Sequence, residues 1–284
     1  MRFPAEIAAR MTRTLLLMAV AAAGTILLVR FAPGFFSDPR EMDAKYAAAA
    51  RAEMWADSSQ RSIASIAVQT VSGWRRGDFG ESRQFGVPVS ELVRARIRVS
   101  ALLLAEGLGA GWLFALCAAV PVSAMRRGQA LCGLPFTILL AIPTAAMATA
   151  CILSEQGGPV LVFSLVIAAR EFKFLRALLE SAWSAPHVLW GRAQGMPVLT
   201  LMRFHIVPNA APRLFPLVTL SIVTALGVLV PIEVMFTVPG IGQLAWAALM
   251  NRDLPVLVAT SLLMASAVGV AGVFSTGARA LEDA

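Results

Sequence analysis

Long apolar runs separated by short polar breaks dominate the chain. Stretches long enough to cross a bilayer, which takes about 20 mostly apolar residues, occur at 14–32, 99–122, 130–153, 213–236 and 255–276, and a weaker one starts at 159. The pattern predicts six transmembrane helices. Phe31–Gly34 (FAPG) ends the first run, because proline and glycine both disfavour continuation of a helix.

The segment 33–98 that follows is polar and alanine-rich with helical spacing, and predicts one or two short helices outside the membrane. Within it, Gly77–Ser82 (GDFGES) predicts a tight turn that anchors Phe79 at the membrane edge. Pro143 predicts a kink in the third run. The fourth run, Pro159–Ala169, meets Arg170, Glu171 and Lys173, and its helix is expected to continue to about Trp183 with long basic side chains reaching the interface.

Between the fourth and fifth runs, His187–Leu217 is too polar to cross a membrane. Gly195 separates two helix-capable stretches and can take a positive φ, while Pro197 suits the first turn of a helix. This spacing predicts a helix, a sharp turn and a second helix. Pro208 and Asn209 predict a break, with Asn209 capping the next span and Pro212 in its first turn. The second helix would then be short and held at both ends.

Composition supports the membrane reading, since 14% of the residues are charged and the mean hydropathy is +0.73, against about 25% charged in a soluble domain. The net charge of +7 would suit nucleic acid only if the basic residues formed a stripe on a solvated face. They cluster instead at the ends of apolar runs, which is the pattern that sets membrane orientation. With the N-terminus in the cytoplasm, twelve of the 24 Lys and Arg residues lie inside, and the short outer loops hold only Arg252. The segment 33–98, with ten basic and eight acidic residues, is too long to be governed by the charge rule. Both termini are therefore expected in the cytoplasm. No small-residue cleavage site precedes Pro33, so the first run reads as a retained helix rather than a signal peptide.

Chemistry-bearing motifs are few. The sequence has no G-x-x-x-x-G-K-[ST] loop, no H-E-x-x-H and no G-x-S-x-G elbow, so no catalytic residue, metal site or bound cofactor is expected in this chain. Cys117, Cys132 and Cys151 fall in apolar runs and read as packing residues without a disulfide. Glu106, amid the small residues Gly107–Gly111, is an acid at membrane depth and so a functional candidate, or it faces water or another subunit. Glu233 lies near the end of the fifth run. Val238–Gly242 (VPGIG) would then turn the chain into a surface or re-entrant helix ending at Asn251, Arg252 and Asp253. Arg252 is a candidate partner for Glu233. Glu233, Pro239, Gly240, Gly242, Arg252 and Asp253 read either as a gate or binding-protein contact, or as an internal brace.

Gly191–Gly195 (GRAQG), followed ten residues later by His205 and fourteen later by Asn209, resembles the ARAKG…H…N loop of permease subunits in the oligopeptide, dipeptide and nickel class of ABC transporters. FAPG, GDFGES, Pro88–Leu104, the AIPT around Pro143, AAREFKFLRALL and Ile232–Leu257 agree in order with the same family. Gln194 stands where the family usually carries lysine. The resemblance implies an all-α polytopic membrane protein with six transmembrane helices and a cytoplasmic helix-turn-helix coupling loop. Its parts would be a cytoplasmic N-terminus (1–13), a first span (14–32), an extracytoplasmic segment (33–98) and a permease core (99–284) containing the loop at 184–212.

The resemblance further implies that Gly191, Arg192, Ala193, Gly195, His205 and Asn209 couple this chain to an ATPase. The partners would be a second, different permease chain, two ATPase subunits that bind ATP and Mg, and an extracytoplasmic solute-binding protein. They would assemble in a bacterial-type inner membrane, with no nucleic acid involved, to import peptides, nickel chelates or similar small solutes. Two other readings stay open. A secondary transporter or channel would be favoured by inverted repeats or paired intramembrane charges. A degenerate permease would only scaffold its partner.

Overall fold

The computed structural model describes residues 11–21, 23–25, 73, 78–82, 84–125, 128–251 and 253–282, with side chains as far as Gly272. The expected helices in 33–77, apart from Gly73, the end of the first span at 26–32 and Arg252 lie outside the described residues. The described residues are mostly helical, with one isolated antiparallel bridge, Glu81 to Pro88. The helices are α1 (Met11–Thr25), α2 (Val89–Ala124), α3 (Gln129–Ala141), α4 (Thr144–Leu153), α5 (Pro159–Trp183), α6 (Pro186–Ala193), α7 (Val198–Leu201), α8 (Val207–Met235), α9 (Ile241–Met250) and α10 (Leu254–Glu282). A π-helical turn, Met202–Ile206, joins α7 to α8.

Among the described residues three helices are long and apolar enough to cross a membrane, Val89–Ala124, Val198–Met235 and Leu254–Gly272, and the pair α3 and α4 makes a fourth if counted as one broken span. The chain is a helical polytopic membrane protein. Helix α5 ends at Trp183 and has 25 residues, about 37 Å at 1.5 Å per residue, which exceeds the roughly 30 Å bilayer core. Its charged residues Arg170, Glu171, Lys173 and Arg176 keep it outside that apolar set. The kink expected at Pro143 is instead a bend of 92° between two separate helices. The residue before a proline avoids the helical region, and Ile142 accordingly sits at φ −81, ψ 125.

The described residues form two compact units. In the unit of Ala101–Val238, α5 runs through the core, packing Phe172, Leu175 and Leu179 with Ala115 and Ala119 of α2 and with Leu201 and Ile206. Close approach of α2 to α5 depends on small residues. A Cβ at Gly107 would lie 2.3 Å from Phe163 Cδ1, and one at Gly111 would lie 2.7 Å from Ile167 Cβ, a small-xxx-small contact of the kind that joins membrane helices. Glu106, beside this contact, is exposed.

The second unit joins Pro239–Gly269 to residues up to Ser100. Its core is Val89, Leu244, Ala248, Val256 and Leu257. The GDFGES turn folds onto it. Gly80, at φ +81, donates its N–H to Asp78 Oδ1 (2.9 Å), and Ser82 N–H donates to Val87 O (2.9 Å). Ser82 Oγ then donates to Asp253 Oδ2 (2.5 Å), which ties two motifs that are 171 residues apart.

Candidate functional site

The GRAQG turn is built from its backbone outward. Pro186 opens α6 at a position that needs no N–H. At the far end, Gly195 N–H donates to Arg192 O (3.1 Å) and Met196 N–H donates to Gly191 O (3.1 Å), with Gly195 at φ +79. These two bonds define a Schellman C-cap, which places a left-handed residue just after the helix. Gly191 is buried for a separate reason, because a Cβ there would lie 2.8 Å from Leu201 Cδ2 and 3.3 Å from Met196 Sδ. One glycine of the motif therefore serves the turn and the other serves the packing of α6 on α7. Pro197 caps α7 and accepts from Leu201 N–H (3.1 Å).

The break expected at Pro208 and Asn209 is absent. The helix runs continuously from Val198 to Met235, 38 residues. A proline in a helix clashes with the carbonyl four residues before it, here Phe204, and the π-helical turn at Met202–Ile206 widens the backbone at that point. Asn209 is accordingly not a cap, and lies exposed on the helix surface. The second helix of the loop is thus rigidly continuous with a membrane-spanning helix rather than short and held at two ends.

Around this turn the side chains divide into two faces. Val188, Leu201, Met202 and Ile206 are buried in the first unit's core. Leu189, Trp190 (62% exposed), Val198 and Leu199 (80% exposed) point outward, together with Arg192, Ala193 and Gly195. The Arg192 guanidinium sits over the Trp183 ring, 5.4 Å from its centroid. His205 is half-buried, with its ring centroid 6.2 Å from that of His187.

The other candidates divide between the two units. Glu233 is fully buried near the end of α8, and its carbonyl accepts from Val238 N–H (2.9 Å) while Thr237 N–H donates to Val234 O (3.2 Å). Thr237 is the left-handed residue of this second Schellman cap, at φ +52. In the other unit, Pro239 is exposed and Gly240 and Gly242 are buried. Ile241 N–H donates to Ser100 Oγ (2.7 Å), which anchors the start of α9. Asp253, also buried, accepts from Ser82 Oγ and from Gln84 N–H (3.1 Å). Arg252, read from the sequence as a partner for Glu233, lies outside the described residues.

One buried acid escaped the sequence reading. Glu171, expected among charges approaching the interface, is 1% exposed on the core face of α5. Neither carboxylate oxygen has a hydrogen-bond partner among the described residues. Ser221 faces it, but the Ser221 hydroxyl donates to Leu217 O (2.8 Å) and accepts from Trp112 Nε1–H (3.1 Å). A signal was available, because Ile167, Glu171 and Leu175 recur at intervals of four and so share one helix face.

Residues 107–283 match the family model of the binding-protein-dependent transport system inner membrane component. The chain belongs to that family. A putative peptide permease protein of Brucella suis biovar 1 is 27% identical over 239 residues, covering 73% of this chain and 75% of that protein. The metal-staphylopine import system permease protein CntB of Staphylococcus aureus is 35% identical over 107 residues, 38% of this chain and 34% of that protein. The dipeptide transport system permease protein DppB of Lactococcus lactis is 30% identical over 115 residues, covering 39% and 37%. The chain thus spans only about a third of the staphylococcal and lactococcal relatives it matches.

Proposed function

We propose that this chain is a transmembrane permease subunit of an ATP-driven ABC importer for peptides or small metal chelates, working with a second permease, two ATPase subunits and an external solute-binding protein. The observation that carries this reading is the GRAQG turn. It offers exposed Trp190, Val198 and Leu199 beside Arg192, and it joins directly onto a 38-residue helix. Exposed apolar side chains rimmed by polar ones mark a surface for a protein partner. At about 1.5 Å per residue that helix is roughly 57 Å long, so a push on the turn moves a spanning element. The peptide and metal-staphylopine relatives named above support the substrate class.

In this mechanism ATP and Mg are bound by the ATPase chains, and no ATP chemistry occurs on this chain. Closure of the ATPases displaces Gly191, Arg192, Ala193 and Gly195 together, His205 and Asn209 move with the continuous helix, and the helices rock between inward-open and outward-open states. The turn lies on the cytoplasmic side of an inner membrane, with both chain ends there too. Glu233, Pro239, Gly240, Gly242, Arg252 and Asp253 form or brace the outer mouth near the binding protein.

The test is Gly195→Pro in the assembled transporter, reconstituted in liposomes. Proline cannot donate to Arg192 O or adopt a positive φ, so ATP hydrolysis should continue while uptake collapses. Uptake at the unmodified rate, or uptake driven by an ion gradient without ATP, would sink the proposal.

A further inference from the structure

The second unit holds a groove of about 760 Å³, within the roughly 300–1,000 Å³ typical of small-ligand sites. Its inner walls are apolar and come from three helices: Met18 of α1, Val93 and Ile97 of α2, and Leu262 and Leu263 of α10. Two charged residues line it as well, Arg94 and Glu91. Both are exposed, and neither side chain is held by an ion pair or hydrogen bond among the described residues. The neighbouring Arg96, by contrast, donates to Gln243 Oε1 (3.3 Å).

The order of groups along α2 is informative. Ile97, Arg94 and Glu91 all line the groove and follow one another at steps of three residues, each a rise of about 4.5 Å. The apolar run of α2 begins at Val99, so Ile97 lies next to it, Arg94 one turn before Ile97 and Glu91 one turn before Arg94. From the membrane outward the groove therefore presents hydrocarbon walls, then a cation, then an anion. A phospholipid with an ammonium headgroup presents the complementary sequence: acyl chain, phosphate, ammonium. Guanidinium binds phosphate bidentately, and a carboxylate accepts charge-assisted hydrogen bonds from a primary ammonium.

We propose that this groove is a binding site for a phospholipid bearing a phosphoethanolamine headgroup, with Arg94 on the phosphate, Glu91 on the ammonium and one acyl chain along Ile97 and Leu262. The site lies apart from the coupling turn and does not depend on the transport reading. Phosphatidylglycerol lacks the ammonium that Glu91 would bind and adds no compensating charge. Phosphatidylcholine keeps its charge but has no N–H to donate.

The experiment is native mass spectrometry of the full-length chain in mild detergent, stripped of lipid and titrated with palmitoyl-oleoyl phosphatidylethanolamine, phosphatidylcholine or phosphatidylglycerol. The expected result is one retained phosphatidylethanolamine per chain, in preference to the other two. Arg94→Gln should lower its occupancy by about tenfold, the equivalent of one charge-assisted contact, while Arg94→Lys retains most of it. Glu91→Gln should erase the preference over phosphatidylcholine. Leu262→Trp should abolish binding by filling the groove, and the exposed Arg94 and Glu91 variants keep the test decisive should that variant misfold. Retention that is indifferent to headgroup and to Arg94 would overturn the site. So would crosslinking of Ile97→Cys to a second permease subunit in the same groove, since that would make it a protein interface.

Discussion

Two turns in the first unit have the same hydrogen bonds and different residues. In Gly191–Met196 the helix ends through Gly195 and Met196, and in Glu233–Val238 it ends through Thr237 and Val238. Both carry the paired Schellman bonds, and a proline follows each. At the left-handed position, one turn has glycine at φ +79 and the other has threonine at φ +52. Glycine pays no steric penalty there, whereas a β-branched residue is an outlier costing about 1–3 kcal/mol. At the carbonyl that accepts the bond from five residues on, the first turn has a glycine pressed against Leu201 and the second has a buried glutamate. The first turn is thus relaxed in its backbone and tight in its packing, and the second carries backbone strain beside a buried acid.

That contrast can be broken most strongly at Gly191. Gly191→Val places side-chain atoms where Leu201 Cδ2 already sits, and should destabilise the protein by about 3 kcal/mol, in the upper range for overpacking. A fall in the thermal midpoint of the detergent-solubilised protein would register it, and an unchanged midpoint would refute the tight packing of α6 on α7. Gly195→Ala tests the backbone alone, because nothing lies within 4 Å of a Cβ there. Its expected cost is about 1–2 kcal/mol, the left-handed penalty.

Thr237→Gly should act in the opposite sense, raising stability by about 1 kcal/mol as strain is relieved, less the extra chain entropy of glycine. Loss of stability in this variant would mean that the threonine side chain holds the turn. The smallest effect is expected at Arg192→Gln. It removes the cation from the Trp183 ring at an exposed site, a contact of about 0.5–1 kcal/mol, measurable as a slight midpoint shift against the Arg192→Lys control.

Much of the first turn was legible in the sequence. Gly195 between two helix-capable stretches, with Pro197 just after it, announces helix, turn and helix by local rules alone. The π-helical turn was not legible. Pro208 and Asn209 read as a break because, taken locally, proline stops a helix and asparagine caps one. Buried Leu201, Met202 and Ile206 hold the backbone in place, and the π turn absorbs the proline. Similarly, Pro143 announced a kink, but its extent, 92°, is not a property of proline alone. Thr237 gave no warning, since no sequence rule expects a β-branched residue at positive φ.

What the sequence determined by itself was the solvent and the class: apolar runs of membrane length, the charges at their ends, the six-helix expectation and the motifs shared with a permease family all follow from residue order. These are one-dimensional properties, set by what each segment can bury and by how its neighbours turn. The tertiary structure decided which charges are buried and what they meet. Glu171 lies in the core of α5, although its neighbours Arg170 and Lys173 suggested an interface. Asp253 pairs with Ser82 across 171 residues. Gly107 and Gly111 are small because α5 passes against them. Each of these facts depends on which helix faces which, and that is settled by packing between segments far apart in the chain.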